Sequence, residues 1–136
     1  MVVVNSHAEL IKNFYVGKDE RNRWHLYYKK SGKQVAEKGK GRGSKYSVVF
    51  IKCPISGSRD YKGRTIFYVP LHRLVYYFFN PEDEAKLMPL AGYDVHHINH
   101  RSRDNHPDNL ELMTHHEHML YHEAHSAWVA LGWVAS

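Results

Sequence analysis

Apolar and polar positions along this chain alternate or recur in ways that mark short elements of both secondary-structure types. Leu10, Ile11, Phe14 and Tyr15 recur at helical spacing just after Ser6-x-x-Glu9. That pairing suits a helix start, because the Ser hydroxyl and the Glu carboxylate take up amides left without partners in the first turn. The pattern predicts a helix over residues 7–15. Three runs, 23–28 (RWHLYY), 46–52 and 64–69 (RTIFYV), are rich in aromatic and β-branched residues and read as strands. Turns are expected at 29–33 and 56–60. Pro70 then opens a helical stretch, LHRLVYYFFN, which ends near Asn80; proline fits a first turn, where an amide would have no partner. Asn80-Pro81-Glu82-Asp83-Glu84 reads as a further helix start, with an Asn cap and acids facing the positive end of the helix.

The last third has the most distinctive pattern. Tyr93-Asp94-Val95-His96-His97-Ile98-Asn99 reads as a strand, and a polar stretch runs from His100 to Asp108. Asn109 to Met113 alternates as a second strand, and Thr114-x-x-Glu117 is a second capping pair that opens the helix HHEHMLYHEAHSAWVAL. The order is strand, loop, strand, helix: a ββα unit. The cap puts His118 in the first helical turn, and His118, His122 and His125 share one face. The two-stranded ribbon can bring His96 and His97 beside that helix start. The expected fold class is α+β, a single compact domain with a basic β-rich part over 1–65 and the ββα part over 66–136.

Composition narrows the chemistry. A chain of 136 residues suits one hydrophobic core. A single cysteine, Cys53, excludes a disulfide within the chain and any Cys₄ or Cys₂His₂ zinc site; a packed thiol is expected there. No apolar run approaches the roughly 18–20 residues of a membrane span, so a soluble, intracellular protein without a membrane partner is expected. The net charge of +5 hides a segregation. Residues 1–80 hold 16 Lys and Arg against 5 Asp and Glu, a net +11, whereas residues 81–136 hold 3 against 9, a net −6. A basic half points to a polyanion partner. Within it, Lys38, Lys40, Arg42 and Lys45 alternate with glycines in a basic loop suited to following a phosphate chain. The acidic half contains nine of the twelve histidines, all between His96 and His125.

The strings DVHHIN, RDNHPDNLELM and THHEHMLYH together resemble the HNH, or ββα-metal finger, endonucleases encoded by phages and mobile introns. The upstream HRLVYYFF is similar to the helix that precedes the motif in that group. The resemblance covers about residues 66–122, and residues 1–65 resemble no family.

The resemblance implies a DNA endonuclease with one divalent ion, leaving 5′-phosphate and 3′-hydroxyl ends. His97 would be the general base, and His96 and His118 would ligate the metal. Asn109, the middle Asn of the motif, would hold the loop between the strands and so orient His97, without touching the metal. His122 would support the site from the next turn of the helix. Asp often stands where His96 stands and Asn where His118 stands; His100 sits where Gly is common. Two imidazole ligands suit Mn²⁺, Ni²⁺ or Zn²⁺ better than Mg²⁺, which prefers oxygen. The expected partner is double-stranded DNA, met by a monomer or homodimer. Arg73, Arg101 and Arg103 are candidate phosphate contacts beside the basic loop. Asp104 and Asn105 read as an Asx-type turn. Two further readings stay open: a DNA-binding module with an inactive finger, and a nuclease acting on RNA or without sequence preference.

Overall fold

The computed structural model describes residues 2–39 and 46–132, and of residues 59–61 the backbone alone. The expected positions Lys40, Arg42 and Lys45 lie outside the described residues.

Helix α1 (His7–Asn13) starts at Ser6, whose hydroxyl accepts from the amide of Glu9 at 3.2 Å. Glu9 completes only half of the expected cap, because its carboxylate accepts from Asn5 instead. The helix stops two residues earlier than its spacing predicts. Phe14 and Tyr15, aromatic residues at home on a pleated surface, start strand β2 (Phe14–Lys18), which pairs antiparallel with β3 (Trp24–Tyr28). Val2–Val3 (β1) lies parallel to Ile51–Lys52 (β6). A four-stranded sheet then runs in the order β4 (Glu37–Lys38), β5 (Val48–Val49), β8 (Arg64–Pro70), β7 (Gly57–Tyr61).

Strand β7 replaces the turn expected at 56–60. The reversal sits later, at Lys62 and Gly63, both with positive φ, the conformation that joins tight antiparallel hairpins. Polar Gly57–Tyr61 shows little strand signal of its own, and pairing with β8 supplies it.

Helix α2 (Leu71–Phe79) follows β8 directly and buries Leu71, Leu74, Val75 and Tyr77. Asn80 does not cap the next helix; its side-chain amide donates back to the Tyr76 carbonyl at 2.9 Å. One turn of 3₁₀ helix, Pro81–Asp83, leads into α3 (Glu84–Leu87). Tyr76 donates to Asp83 at 2.6 Å and Tyr77 to Glu84, so two phenols of α2 tie this acidic turn down. The apolar core draws on both sides of residue 65: Val4, Leu10, Leu26, Val49 and Ile51 pack in one cluster with Leu74, Val75, Leu87, Val95 and Leu110. The architecture is α+β. No helix among the described residues is long and apolar enough to cross a membrane.

The C-terminal unit has the expected ββα order. Strands β9 (Tyr93–His97) and β10 (Leu110–Thr114) pair antiparallel, with Leu110 opposite His97 and Glu111 opposite His96. Both halves of the Thr114–Glu117 cap are formed at the start of α4 (His115–Ala130). Trp128, on α4, is exposed.

One polar knot locks the N-terminal hairpin. His25 is buried, with Nδ1 at 2.7 Å from Glu37 and Nε2 at 2.8 Å from Asp19. The amide of Arg23, then His25, hold the Asp19 carboxyl down to about 2 from its ordinary 3.8. A depressed carboxyl adds stability above its unfolded pKa and loses it as pH falls through the folded one. Asp19→Asn should therefore lower the melting temperature at neutral pH. The gap to wild type should close as pH falls from 3.8 to about 2; a gap that stays constant in thermal melts across that range would refute the linkage.

Candidate active site

Strand β9 alternates its side chains about the ribbon, so His96 and His97 point apart and serve different surroundings. Both are buried, at 4% and 5% exposure. The loop from Ile98 to Asn109 closes over the end of the ribbon and is held by amides. Asn109 accepts from the Asn99 amide at 3.0 Å and donates to the Asn99 side chain at 3.0 Å and to the Asp104 carbonyl at 2.8 Å. Asn99 also donates to Asp104 at 2.7 Å.

The group that touches His97 directly is Asn105, buried to 7% exposure, whose Oδ1 lies 2.7 Å from Nε2. An amide oxygen only accepts, so Nε2 carries the proton and Nδ1 keeps its lone pair. Sequence reasoning placed Asn105 in a turn. Its spacing from His97 has no periodic meaning, and only the folded loop turns it inward. Burial lowers the His97 pKa, partly offset by the Asn105 hydrogen bond and the Asp104 carboxylate. His72 packs its ring 4.7 Å from His97, and Tyr46 lies parallel to it at 5.8 Å. Burial pushes His72 down to about 3, so this neighbour is uncharged near neutral pH.

On the other face of β9, nitrogens of His96, His118 and His122 lie within 4.8 Å of one another. His118 and His122 sit one helical turn apart on α4, with Nε2 atoms 2.8 Å apart. Asp94 Oδ2 accepts from His118 Nδ1 at 2.9 Å and from His115 Nδ1 at 2.8 Å. Burial would raise the Asp94 carboxyl, but these two hydrogen bonds outweigh it and hold the carboxyl below its ordinary value. With Nδ1 protonated and held, His118 offers the Nε2 lone pair to the cluster, an arrangement that orients ligating imidazoles. Burial, then the nearby His118, His100 and His122, push His96 down to about 4, so it too is neutral. Its Nε2 is buried with no hydrogen-bond partner among the described residues. An unpaired buried nitrogen is costly, and beside two further imidazoles it fits a divalent transition ion in place of a donor.

The structure thus brings His96, His118 and His122 together in one cluster. His116 is exposed and outside the cluster. His100 occupies the loop position with φ +63°, the left-handed conformation that favours glycine. Its ring stacks on His125 at 4.2 Å and bonds the Tyr121 hydroxyl at 3.0 Å. The pocket at the cluster is lined by Tyr46, His96, His97, His100, His118 and His122, among others.

The expected cations part company. Lys38, Arg101 and Arg103 are exposed. Arg73 is engaged within the fold: Nε and Nη2 donate to the Leu87 carbonyl at 2.9 and 2.7 Å, and Nη1 to the Tyr93 carbonyl at 2.9 Å. Helix α2 points it inward at the chain entering β9, so its charge is spent on backbone carbonyls.

Residues 69–120 match the family model described as HNH endonuclease. No curated protein and no solved structure matches the chain. The matched stretch takes in α2, His96 and His97, the amide-held loop and His118, so over residues 69–120 this chain is similar to the HNH endonucleases.

Proposed function

We propose that the chain is a metal-dependent endonuclease that hydrolyses phosphodiester bonds of double-stranded DNA, with His97 as general base. The observation that carries this reading is the pairing of two differently prepared histidines on one strand: His97 with Nε2 held by Asn105 at 2.7 Å, and His96 with an Nε2 that has no hydrogen-bond partner among the described residues and lies beside two further imidazoles. A divalent ion held by His96, His118 and His122 would stabilise the negative charge that builds on the phosphate oxygens.

His97 Nδ1 takes a proton from the attacking water as its oxygen bonds to phosphorus. The bond from phosphorus to the 3′ oxygen breaks, the leaving oxygen takes a proton from a solvent water, and the strand ends become a 5′-phosphate and a 3′-hydroxyl. Asn105 holds the proton on Nε2 and so keeps the lone pair on Nδ1. Asn109 holds the loop that carries Asn105. Asp94 keeps His118 in the tautomer that offers Nε2. Arg101, Arg103 and Lys38, all exposed, contact backbone phosphates.

A plasmid-cleavage assay on chelator-treated protein tests this. With an all-imidazole donor set, nicking or linearisation should be faster in Mn²⁺ or Ni²⁺ than in Mg²⁺. Full activity in Mg²⁺ alone would refute the three-histidine ligand set. Binding to DNA without cleavage in any of these ions would favour a binding module with an inactive finger.

A further inference from the structure

Tyr46 lies outside the matched residues 69–120, yet it lines the pocket shared by His97 and the histidine cluster. The fold delivers it there by backbone ties. The Leu71 amide donates to the Ser47 carbonyl at 2.8 Å, and Val48 pairs with Pro70, so Tyr46 arrives opposite the first turn of α2. On its other side Gly39, at φ +133°, leaves no room for a side chain: a Cβ there would stand 2.4 Å from the Tyr46 carbonyl oxygen. The phenol ring is then laid 4.8 Å from His72 and 5.8 Å from His97, within 7° of parallel to the latter. His72 completes a three-ring group at 4.7 Å from His97.

Asn105 fixes His97 at one atom, Nε2. One hydrogen bond sets a tautomer but leaves the ring free to tilt about it. The adjoining rings remove that freedom. The geometry points to Tyr46 as a positioning residue for the base: a side chain from the basic N-terminal half that holds the His97 ring in the plane aiming Nδ1 into the pocket. This rests on the reading of His97 as the base.

The test uses Tyr46→Ala and Tyr46→Phe in the full chain, with ¹⁵N NMR of the metal-free protein at pH 8 as a readout independent of cleavage. In wild type, His97 should show one tautomer, protonated at Nε2. In Tyr46→Ala its signals should shift and broaden, and single-turnover cleavage should fall by about 10–100-fold, the scale of a small misplacement of a reacting group. DNA affinity should stay within about threefold, because the ring is proposed to act on His97 and not on the strand. Tyr46→Phe, which keeps the ring, should restore both rate and spectrum. Tyr46 is 40% exposed, so the fold should tolerate the change; if alanine does unfold the protein, Tyr46→Leu, which keeps bulk without a flat ring, takes its place.

Unchanged His97 signals in the alanine or leucine variant would overturn the proposal, whether or not the protein cleaves. Loss of DNA affinity in step with rate, unrestored by Phe, would overturn it too, since the hydroxyl would then be a substrate contact. Failure of wild type to cleave would count against the nuclease reading alone and leave the NMR result to decide this one.

Discussion

Replacing His97 by alanine should slow DNA cleavage by about 10²–10⁴-fold, the usual contribution of a positioned general base, while DNA affinity and metal uptake persist. That is about 3–5 kcal/mol of barrier at roughly 1.4 kcal/mol per tenfold. The loss should fall on the chemical step because His97 stands apart from the three-histidine cluster, with Asn105 on one nitrogen and two rings against its face. His96→Ala should differ in kind. It removes a member of the three-imidazole group, so metal binding should weaken as well as cleavage. Emptying the buried His97 site leaves the Asn105 oxygen without its partner, which costs about 1–3 kcal/mol of stability, so rates should be compared well below the melting transition. Single-turnover kinetics with a labelled duplex and a parallel binding titration separate the effects. Retained cleavage in His97→Ala, or lost affinity for DNA, would sink the assignment of the base.

The second large effect is on stability. Arg73→Ala should destabilise the fold by about 2–4 kcal/mol, because three charge-assisted hydrogen bonds disappear and two partly buried carbonyls lose their donors. For a domain of this size that is a drop of roughly 10 °C in melting temperature. Burial lowers the guanidinium pKa, with the Asp94 carboxylate acting in the opposite sense. Arg73→Lys should recover only part of the loss. One ammonium cannot match a fork that meets the Leu87 carbonyl twice and the Tyr93 carbonyl once. Because the Tyr93 carbonyl begins β9, the strand bearing His96 and His97, activity near the new melting range should fall with the fold. A melting temperature unchanged by Arg73→Ala would refute the clamp and return Arg73 to the candidates for phosphate contact.

The features legible in the sequence are those set by short-range physics. The Thr114–Glu117 cap is closed within one helical turn, so it placed the start of α4 and with it His118 and His122 on one face. Alternation along 93–97 and 109–113 is a property of any half-buried strand, so the ββα order followed from it. The spaced His, Asn and His residues carried the family resemblance for the same reason: they lie close along the chain. Net charge showed a basic half before any contact was known.

Other features depended on residues far apart in sequence, which local pattern does not register. Gly57–Tyr61 is a strand because β8 offers it a ladder, not because its polar residues favour one. Arg73 looked like a surface cation until the turn of α2 aimed it at carbonyls 14 and 20 residues away. Asp94 reads as an ordinary strand carboxylate, and only the docking of α4 sets it on His115 and His118. Asn105 meets His97 because the loop folds inward, and Tyr46 meets it because β5 is pinned to the end of β8. Which donors the cluster contains, and on which elements they ride, is legible in the order of residues along the chain. Tertiary structure alone decided which nitrogen is held, which is left open and which rings close around the base, because those outcomes depend on burial and on distances of a few ångströms between separate segments.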